Sequence, residues 1–213
     1  MKRLLIIGAS SGIGYHAVQS ALEHGHAVRA LARSARQMTT DHALLEKIDA
    51  DATDPDSLRP AVAGVDAVIL AIGAAKSLQR TFRPVHLFSA STAALLTEMR
   101  RAEVTRLVAV TGFGAGDSRQ AQSLPERLIH RALLGHAYDD KDRQEAMIRD
   151  SGLDWLIVRP TILTNGRGQG RYRVLLDPKD WRNGLISRRD VADFLVSEAV
   201  EPQYHHQTPV LTN

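Results

Sequence analysis

Residues 3–14 read RLLIIGASSGIG, and the order of residue types in this stretch decides the fold. Residues 3–7 form a short apolar run closed by Gly8, the pattern of a strand buried on both faces. Ile13, Ala17, Val18, Ala21 and Leu22 then recur at helical spacing, and Gly25 stops the helix. Between strand and helix stand glycines at 8, 12 and 14, with Ser10, Ser11 and Ile13 in the same loop. Gly8 permits a tight turn, Gly12 lets backbone approach a pyrophosphate, and Gly14 allows the helix to pack closely on the strand. The helix N-terminus then offers free N–H groups and a positive dipole end to an anion. A glycine motif alone is a weak signal; the strand before it and the helix after it supply its context.

The same alternation continues outward. Residues 27–31, 45–50 and 66–72 read as the second, third and fourth strands. Asp54 followed by Pro55 predicts a helix cap with proline at the first helical position, and Gly64 ends that helix. A long helix is predicted from about 84 to 101, and a fifth strand over 106–110. Pro125 starts a predicted short helix through Leu134, and a separate helix covers 139–151. Residues 154–158 read as a sixth strand, 164–170 as a polar glycine-rich loop and 172–176 as an edge strand. A helix over 190–199 and a short strand over 209–211 complete the pattern. Apolar strands alternating with helices predict an α/β fold, a single doubly wound Rossmann-type domain over 1–213 with a parallel sheet covered on both faces. Ligands of such sheets bind outside the carboxyl ends of the strands. The substrate-side loops are therefore expected mainly in 111–138 and 160–185.

Composition narrows the function classes. The chain has 213 residues, is 44% hydrophobic and 24% charged, and carries a formal net charge of +3. That bias suits an anionic small ligand but is too weak and dispersed for a nucleic-acid surface. No apolar run is long enough for a transmembrane helix, and the strand pattern begins at residue 3, so a cytoplasmic protein without signal peptide or membrane partner is expected. The absence of cysteine excludes thiol catalysis, disulfides and cysteine metal sites. None of the nine histidines stands at metal-ligand spacing with carboxylates, so no metal is expected.

The end of the second strand selects between dinucleotides. A site for NAD usually carries Asp or Glu there to bond the ribose 2′-hydroxyl. This chain has Leu31-Ala32-Arg33-Ser34-Ala35-Arg36, with two arginines and no acid. An arginine fork matches a 2′-phosphate, so NADP(H) is favoured, with Arg33 and Arg36 as candidate ligands. The alternative is that Arg36, and less readily Arg33, is merely solvated. Asp51 and Ala52, after strand three, are candidates for the adenine, whereas Asp54 reads as a helix cap. Ile72 and Gly73, after strand four, leave room for ribose and pyrophosphate, and Lys76 adds charge.

Tyrosines at 15, 138, 172 and 204 are followed four residues on by Gln19, Asp142, Leu176 and Thr208, so no Tyr-x-x-x-Lys exists. Tyr138 and Lys141 are three apart and would share a helix face. Tyr138 is then either a phenolic acid or a packing residue. Lys141 either bonds the nicotinamide ribose or is solvated.

Over nearly its whole length the chain resembles the atypical short-chain dehydrogenase/reductase group, the NAD(P)-binding family that includes biliverdin reductase B (a flavin reductase) and the NmrA-like proteins. The stretches that carry the resemblance are GASSGIG, DPDSLRPAVAGVDAVILAIG, RLVAVTGFG, RDSGLDWLIVRPTIL, GRYRVLLD and ISRRDVADF. The resemblance implies a one-domain Rossmann fold that binds NADPH. It places Ser10, Ser11, Gly12 and Ile13 at the pyrophosphate, Arg33 at the 2′-phosphate, and Asp51 and Ala52 at adenine. It also places Ile72, Gly73 and Lys76 beside ribose and phosphates, and Pro160, Thr161 and Ile162 beside nicotinamide. The flavin reductases have serine after strand five, where this chain has Gly112 preceded by Thr111. They have histidine where this chain has Thr161 and again where it has Lys141. The implied activity is an NADPH-dependent reductase passing hydride to a small planar acceptor such as flavin or quinone, with Thr111, Lys141, Thr161 and Tyr138 as candidate catalytic residues. A non-catalytic NADP-binding redox sensor and a sugar-nucleotide epimerase are the alternatives.

Replacing Arg33 by Ala is expected to weaken NADPH binding by about tenfold or more while changing NADH binding little. Parallel fluorescence titrations of the two nucleotides test this, and equal weakening would remove the 2′-phosphate assignment.

Overall fold

The computed structural model describes residues 1–73 and 85–213. In chain order the elements are β1 (Arg3–Ile7), α1 (Gly12–Glu23), β2 (Ala27–Ala32), β3 (Leu45–Asp49), α2 (Pro55–Val62), β4 (Ala67–Leu70), α3 (Leu87–Arg101) and β5 (Arg106–Val110). There follow α4 (Leu124–Arg149), β6 (Asp154–Pro160), β7 (Ile162–Thr164), β8 (Arg173–Leu175), β9 (Leu185–Ser187), α5 (Arg188–Val200) and β10 (Val210–Thr212). The main sheet runs β3-β2-β1-β4-β5-β6-β10-β8, parallel throughout except for β8 at the edge, which pairs antiparallel with β10. β1 pairs with β2 on one side and β4 on the other, with Ile7 opposite Leu31 and Leu70. The chain therefore reverses direction across the sheet between β1 and β4, the switch point at which such sheets bind ligands.

Alternation along β1 distributes the core. Leu4 and Ile6 join a buried cluster with Val18 of α1 and Leu195 of α5 on one face. Leu5 and Ile7 join Leu58 of α2, Leu95 and Met99 of α3 and Ile148 of α4 on the other. Side chains in a strand alternate between faces, so one apolar run serves both layers. Among the described residues, no helix is long and apolar enough to cross a membrane.

Three differences from the sequence expectation have physical causes. The two helices expected over 125–134 and 139–151 are one helix, α4. A capping box of Ser123 and Glu126 starts it, and it runs through Gly135, where glycine costs only about 1 kcal/mol relative to alanine. β6 extends to Pro160 because β10 pairs with its end, Arg159 and Thr161 donating to Pro209 and Leu211 carbonyls. Pro160 lies past the last rung with β5, Val110 opposite Val158, where a missing N–H leaves no β5 partner unpaired. The pair β7 and β9 had no counterpart in the reading. Its strands are three residues each, too short for a periodic signal.

The N-terminus of α3 is capped from another helix. Asp140 of α4, wholly buried, accepts from Phe88 N at 2.8 Å, Ser89 N at 3.3 Å and Ser89 Oγ at 2.5 Å. An acid there satisfies orphan N–H groups and complements the helix dipole. Asp140→Ala is expected to cost about 1–3 kcal/mol of stability, measured by urea unfolding.

Candidate cofactor and active site

A cavity of about 360 Å³ opens beyond the carboxyl ends of β1 to β4. Its lining brings together Gly8, Ser10, Ser11, Arg33, Asp51, Ala52, Ile72 and Gly73 from four separate loops, with Leu87 from α3. Gly8 has φ +87°, and a Cβ there would lie 2.5 Å from the Ala71 carbonyl oxygen. Only glycine lets β1 turn this close to the end of β4. Gly14 is equally constrained, since a Cβ would collide with the Gly8 carbonyl. The Ser11 side chain makes no cap bond, which leaves the first-turn N–H groups of α1 for an anion. Gly12 starts that turn at φ +61°, and Ile13 packs against the core beneath it.

The two arginines after β2 separate. Arg33 lines the cavity, exposed and without an ion-pair partner among the described residues. Arg36 is also exposed but turns to Asp49, its backbone N–H 2.8 Å and its guanidinium 4.0 Å from that carboxylate, and it lies outside the cavity lining. Asp51 Oδ1 accepts from Thr53 N at 2.9 Å and Thr53 Oγ1 at 2.8 Å. These bonds hold its carboxyl below the ordinary range. Asp54 caps α2, accepting from Asp56 N at 3.1 Å. Lys76 falls outside the described residues.

A small cluster of Val85, Phe88 and Ala137, with Ile72 and Leu87 packed on it, joins this cavity to α4. There Tyr138 and Lys141 converge on the backbone just beyond β5. A Cβ at Gly112 would lie 2.5 Å from the Tyr138 hydroxyl oxygen and 3.6 Å from Lys141 Nζ. Lys141 Nζ donates to the Thr111 carbonyl and sits 4.9 Å from the Tyr138 ring centroid and 5.2 Å from that of Phe88. Burial pushes Lys141 down to about 8, with Glu145 opposing the shift. Burial pushes Tyr138 up to about 12, and Glu145 and Asp142 add to that rise. The arrangement offers a protonated phenol and a titratable ammonium to whatever occupies this edge of the sheet.

The two threonines face inward instead. Thr111 Oγ1 donates to Glu145 Oε1 at 2.7 Å, and Thr161 Oγ1 donates to the Leu211 carbonyl at 3.2 Å. Both residues are buried, so each hydroxyl is spent on protein. Pro160 is buried within β6, whereas Ile162 is 56% exposed at the start of β7, opposite Leu185.

Sequence reasoning passed over Glu145 and Arg159. Arg159 Nε donates to Glu145 Oε1 at 2.9 Å and Arg159 Nη2 to Glu145 Oε2 at 2.5 Å. Two signals were available: Glu145 follows Lys141 at i+4 spacing, and Arg159 interrupts the apolar run DWLIVRP. Among the described residues, no group of three or more His, Asp or Glu could hold a metal ion.

Residues 8–202 match the NAD(P)H-binding family, and the chain belongs to it. It is 29% identical over 209 residues to an uncharacterized chloroplastic protein of Arabidopsis thaliana, covering 95% of this chain and 73% of that protein. The structure of ChuY, an anaerobillin reductase from Escherichia coli O157:H7, superposes with a TM-score of 0.78 at 23% identity, covering 99% of this chain and 96% of that one. A short-chain dehydrogenase/reductase from Veillonella parvula, solved in complex with NADP, gives a TM-score of 0.83 at 17% identity, covering 100% and 94%. At these identities the likeness to solved structures is one of fold.

The contact at Gly112 is open to a double-mutant test. Gly112→Ala alone is expected to destabilise the protein by about 1–3 kcal/mol, because the new methyl meets the phenol oxygen. In a Tyr138→Phe background the share of that cost due to the phenol oxygen should vanish, while the share due to the φ of +157° at Gly112 persists. Denaturant unfolding of the four proteins measures the coupling, and strictly additive costs would place the phenol elsewhere.

Proposed function

We propose that this member of the NAD(P)H-binding family is an NADPH-dependent reductase that passes hydride to a small planar acceptor such as a flavin or a quinone. The observation that carries the reading is the meeting of Tyr138 and Lys141 at Gly112, on the same sheet edge as the glycine-lined cavity. The cavity fits a dinucleotide: Gly8 has no room for a Cβ, and Arg33 lines it without an ion-pair partner among the described residues. When bound, the reduced nicotinamide supplies the hydride, and the protein supplies orientation.

In this reading Ser10, Ser11, Gly12 and Ile13 hold the pyrophosphate at the N-terminus of α1. Arg33 takes the 2′-phosphate, with Arg36 at the rim. Asp51 and Ala52 take the adenine, Ile72 and Gly73 border the adjacent ribose, and Lys76 adds charge. Lys141 donates to the nicotinamide ribose, whose ring lies beside Pro160, Thr161 and Ile162. Tyr138, held protonated at neutral pH, donates to the acceptor. Thr111 and Thr161 act through their backbone rather than their hydroxyls. Within one domain over 1–213, residues 111–138 and 160–185 shape the acceptor pocket. A reduced flavin can also take its proton from water, so the phenol accelerates the reaction without being indispensable.

A second reading is a non-catalytic NADP-binding redox sensor. It draws support from the inward-turned hydroxyls of Thr111 and Thr161, which leave few donors at the site.

Spectrophotometric assay of NADPH oxidation with FMN, a quinone and a dye acceptor separates the two. Turnover is expected, with Tyr138→Phe lowering kcat on the order of tenfold at unchanged NADPH affinity. Tight NADPH binding without turnover on any acceptor would replace the reductase by the sensor.

A further inference from the structure

Arg159 carries a charge into the middle of the molecule, with no exposure at all. Glu145, its partner on α4, is 2% exposed. Desolvating each ion is costly, so a buried pair persists only when its lone pairs and protons are engaged. Here they are. Glu145 Oε1 accepts from Arg159 Nε at 2.9 Å and Thr111 Oγ1 at 2.7 Å. Glu145 Oε2 accepts from Arg159 Nη2 at 2.5 Å and lies 3.5 Å from Arg149 Nη2. Arg159 Nη1 faces Asp117 Oδ1 at 2.6 Å, and Arg149 approaches the same oxygen at 3.6 Å. The chain beyond β5 is shaped to the pair, since a Cβ at Gly116 would lie 2.5 Å from Arg159 Nη2 and 2.6 Å from Glu145 Oε2. Apolar side chains of similar volume would fasten β6 to α4 with less desolvation. Fastening therefore does not account for the charges.

We propose that Glu145, clamped by Arg159, is the positioning residue of the Tyr138–Lys141 site: it draws the Thr111 hydroxyl inward, leaves the Thr111 carbonyl to hold Lys141 Nζ, and keeps a carboxylate one helical turn from that ammonium. This rests on the reading that Lys141 meets the cofactor. Among the described residues, the groups around Lys141 leave Glu145 in that role. On α4, Asp142 is committed to Arg119 at 2.5 Å and to the Gly116 N–H at 2.7 Å, and Asp140 to the N-terminus of α3. α3 presents the Phe88 ring, and the end of β5 presents a carbonyl. Beyond Glu145 come Arg159 from β6, then Asp117 and Arg149. A carboxylate near an ammonium favours its charged form, against the burial that opposes it.

The test is NADPH affinity, by fluorescence, across about pH 6 to 10. In the wild type, affinity is expected to fall as pH rises through the Lys141 value of about 8. In Glu145→Gln the midpoint should move to lower pH, so that affinity drops roughly threefold to tenfold at pH 8 but less than about twofold at pH 6. Asp117→Asn leaves Arg159 less compensated and should move the midpoint the same way by a smaller amount. Asp117 is half exposed, so this variant decides the matter if Glu145→Gln does not fold. Lys141→Met should bind weakly without that pH dependence. Lower melting temperatures with the wild-type midpoint in both carboxyl variants would make the pair purely structural and overturn the proposal. Wild-type affinity and pH dependence in Lys141→Met would instead remove the cofactor reading itself, and the proposal with it.

Discussion

The ion pair between Glu145 and Arg159 spans from α4 to β6 in the buried interior, and the Tyr138–Lys141 cluster is arranged along the helix that carries it. Successive residues of α4 address different neighbours. Tyr138 reaches Gly112, Asp140 caps α3, Lys141 bonds the Thr111 carbonyl, Asp142 receives the Gly116 N–H, and Glu145 receives Thr111 and Arg159. Each contact fixes the rotation of the helix about its axis as well as its distance from the sheet. A turn of α4 by one residue would move all five polar groups out of reach at once. Buried polar networks impose this kind of uniqueness, since a half-satisfied network costs more than an apolar contact.

The glycine-lined cavity rests on steric exclusion instead. Gly8 lies against Ala71 and Gly14 against Gly8, so β1, β4 and α1 approach as closely as backbone allows. That closeness brings the first turn of α1 to the point where the sheet changes direction between β1 and β4. The cavity and the Tyr138–Lys141 pair meet through Ile72, which lines the cavity and packs on the cluster of Val85, Phe88 and Ala137. Phe88 in turn stands over Lys141.

Much of the fold was legible because it is repetitive. Residues 4–7, 67–72 and 107–110 are unbroken apolar runs, and buried parallel strands demand that pattern. The glycine loop was legible because its spacing has steric causes. The continuity of α4 was not, because Gly135 and Pro125 are local signals, whereas the helix is held by partners far away in sequence. The cavity residues could be named loop by loop from the order of the strands. The inward turn of Thr111 and Thr161 could not, since a hydroxyl's direction depends on which acceptor lies beneath it. Glu145 and Leu211 supply those acceptors from 34 and 50 residues away.

The opposed shifts of Tyr138 and Lys141 say how such a site can work without the Tyr-x-x-x-Lys spacing. An ammonium beside a phenol would lower the phenol's pKa. Here the phenol rises to about 12, so burial and the fields of Glu145 and Asp142 outweigh the neighbouring lysine. Lys141 gives one of its N–H groups to the Thr111 carbonyl and sets its charge over two ring faces rather than on the phenolate form. The phenol therefore stays protonated, and the lysine is the group whose charge changes near physiological pH. At a spacing of three rather than four, the pair still shares a helix face, but its division of labour is one donor and one titrating cation.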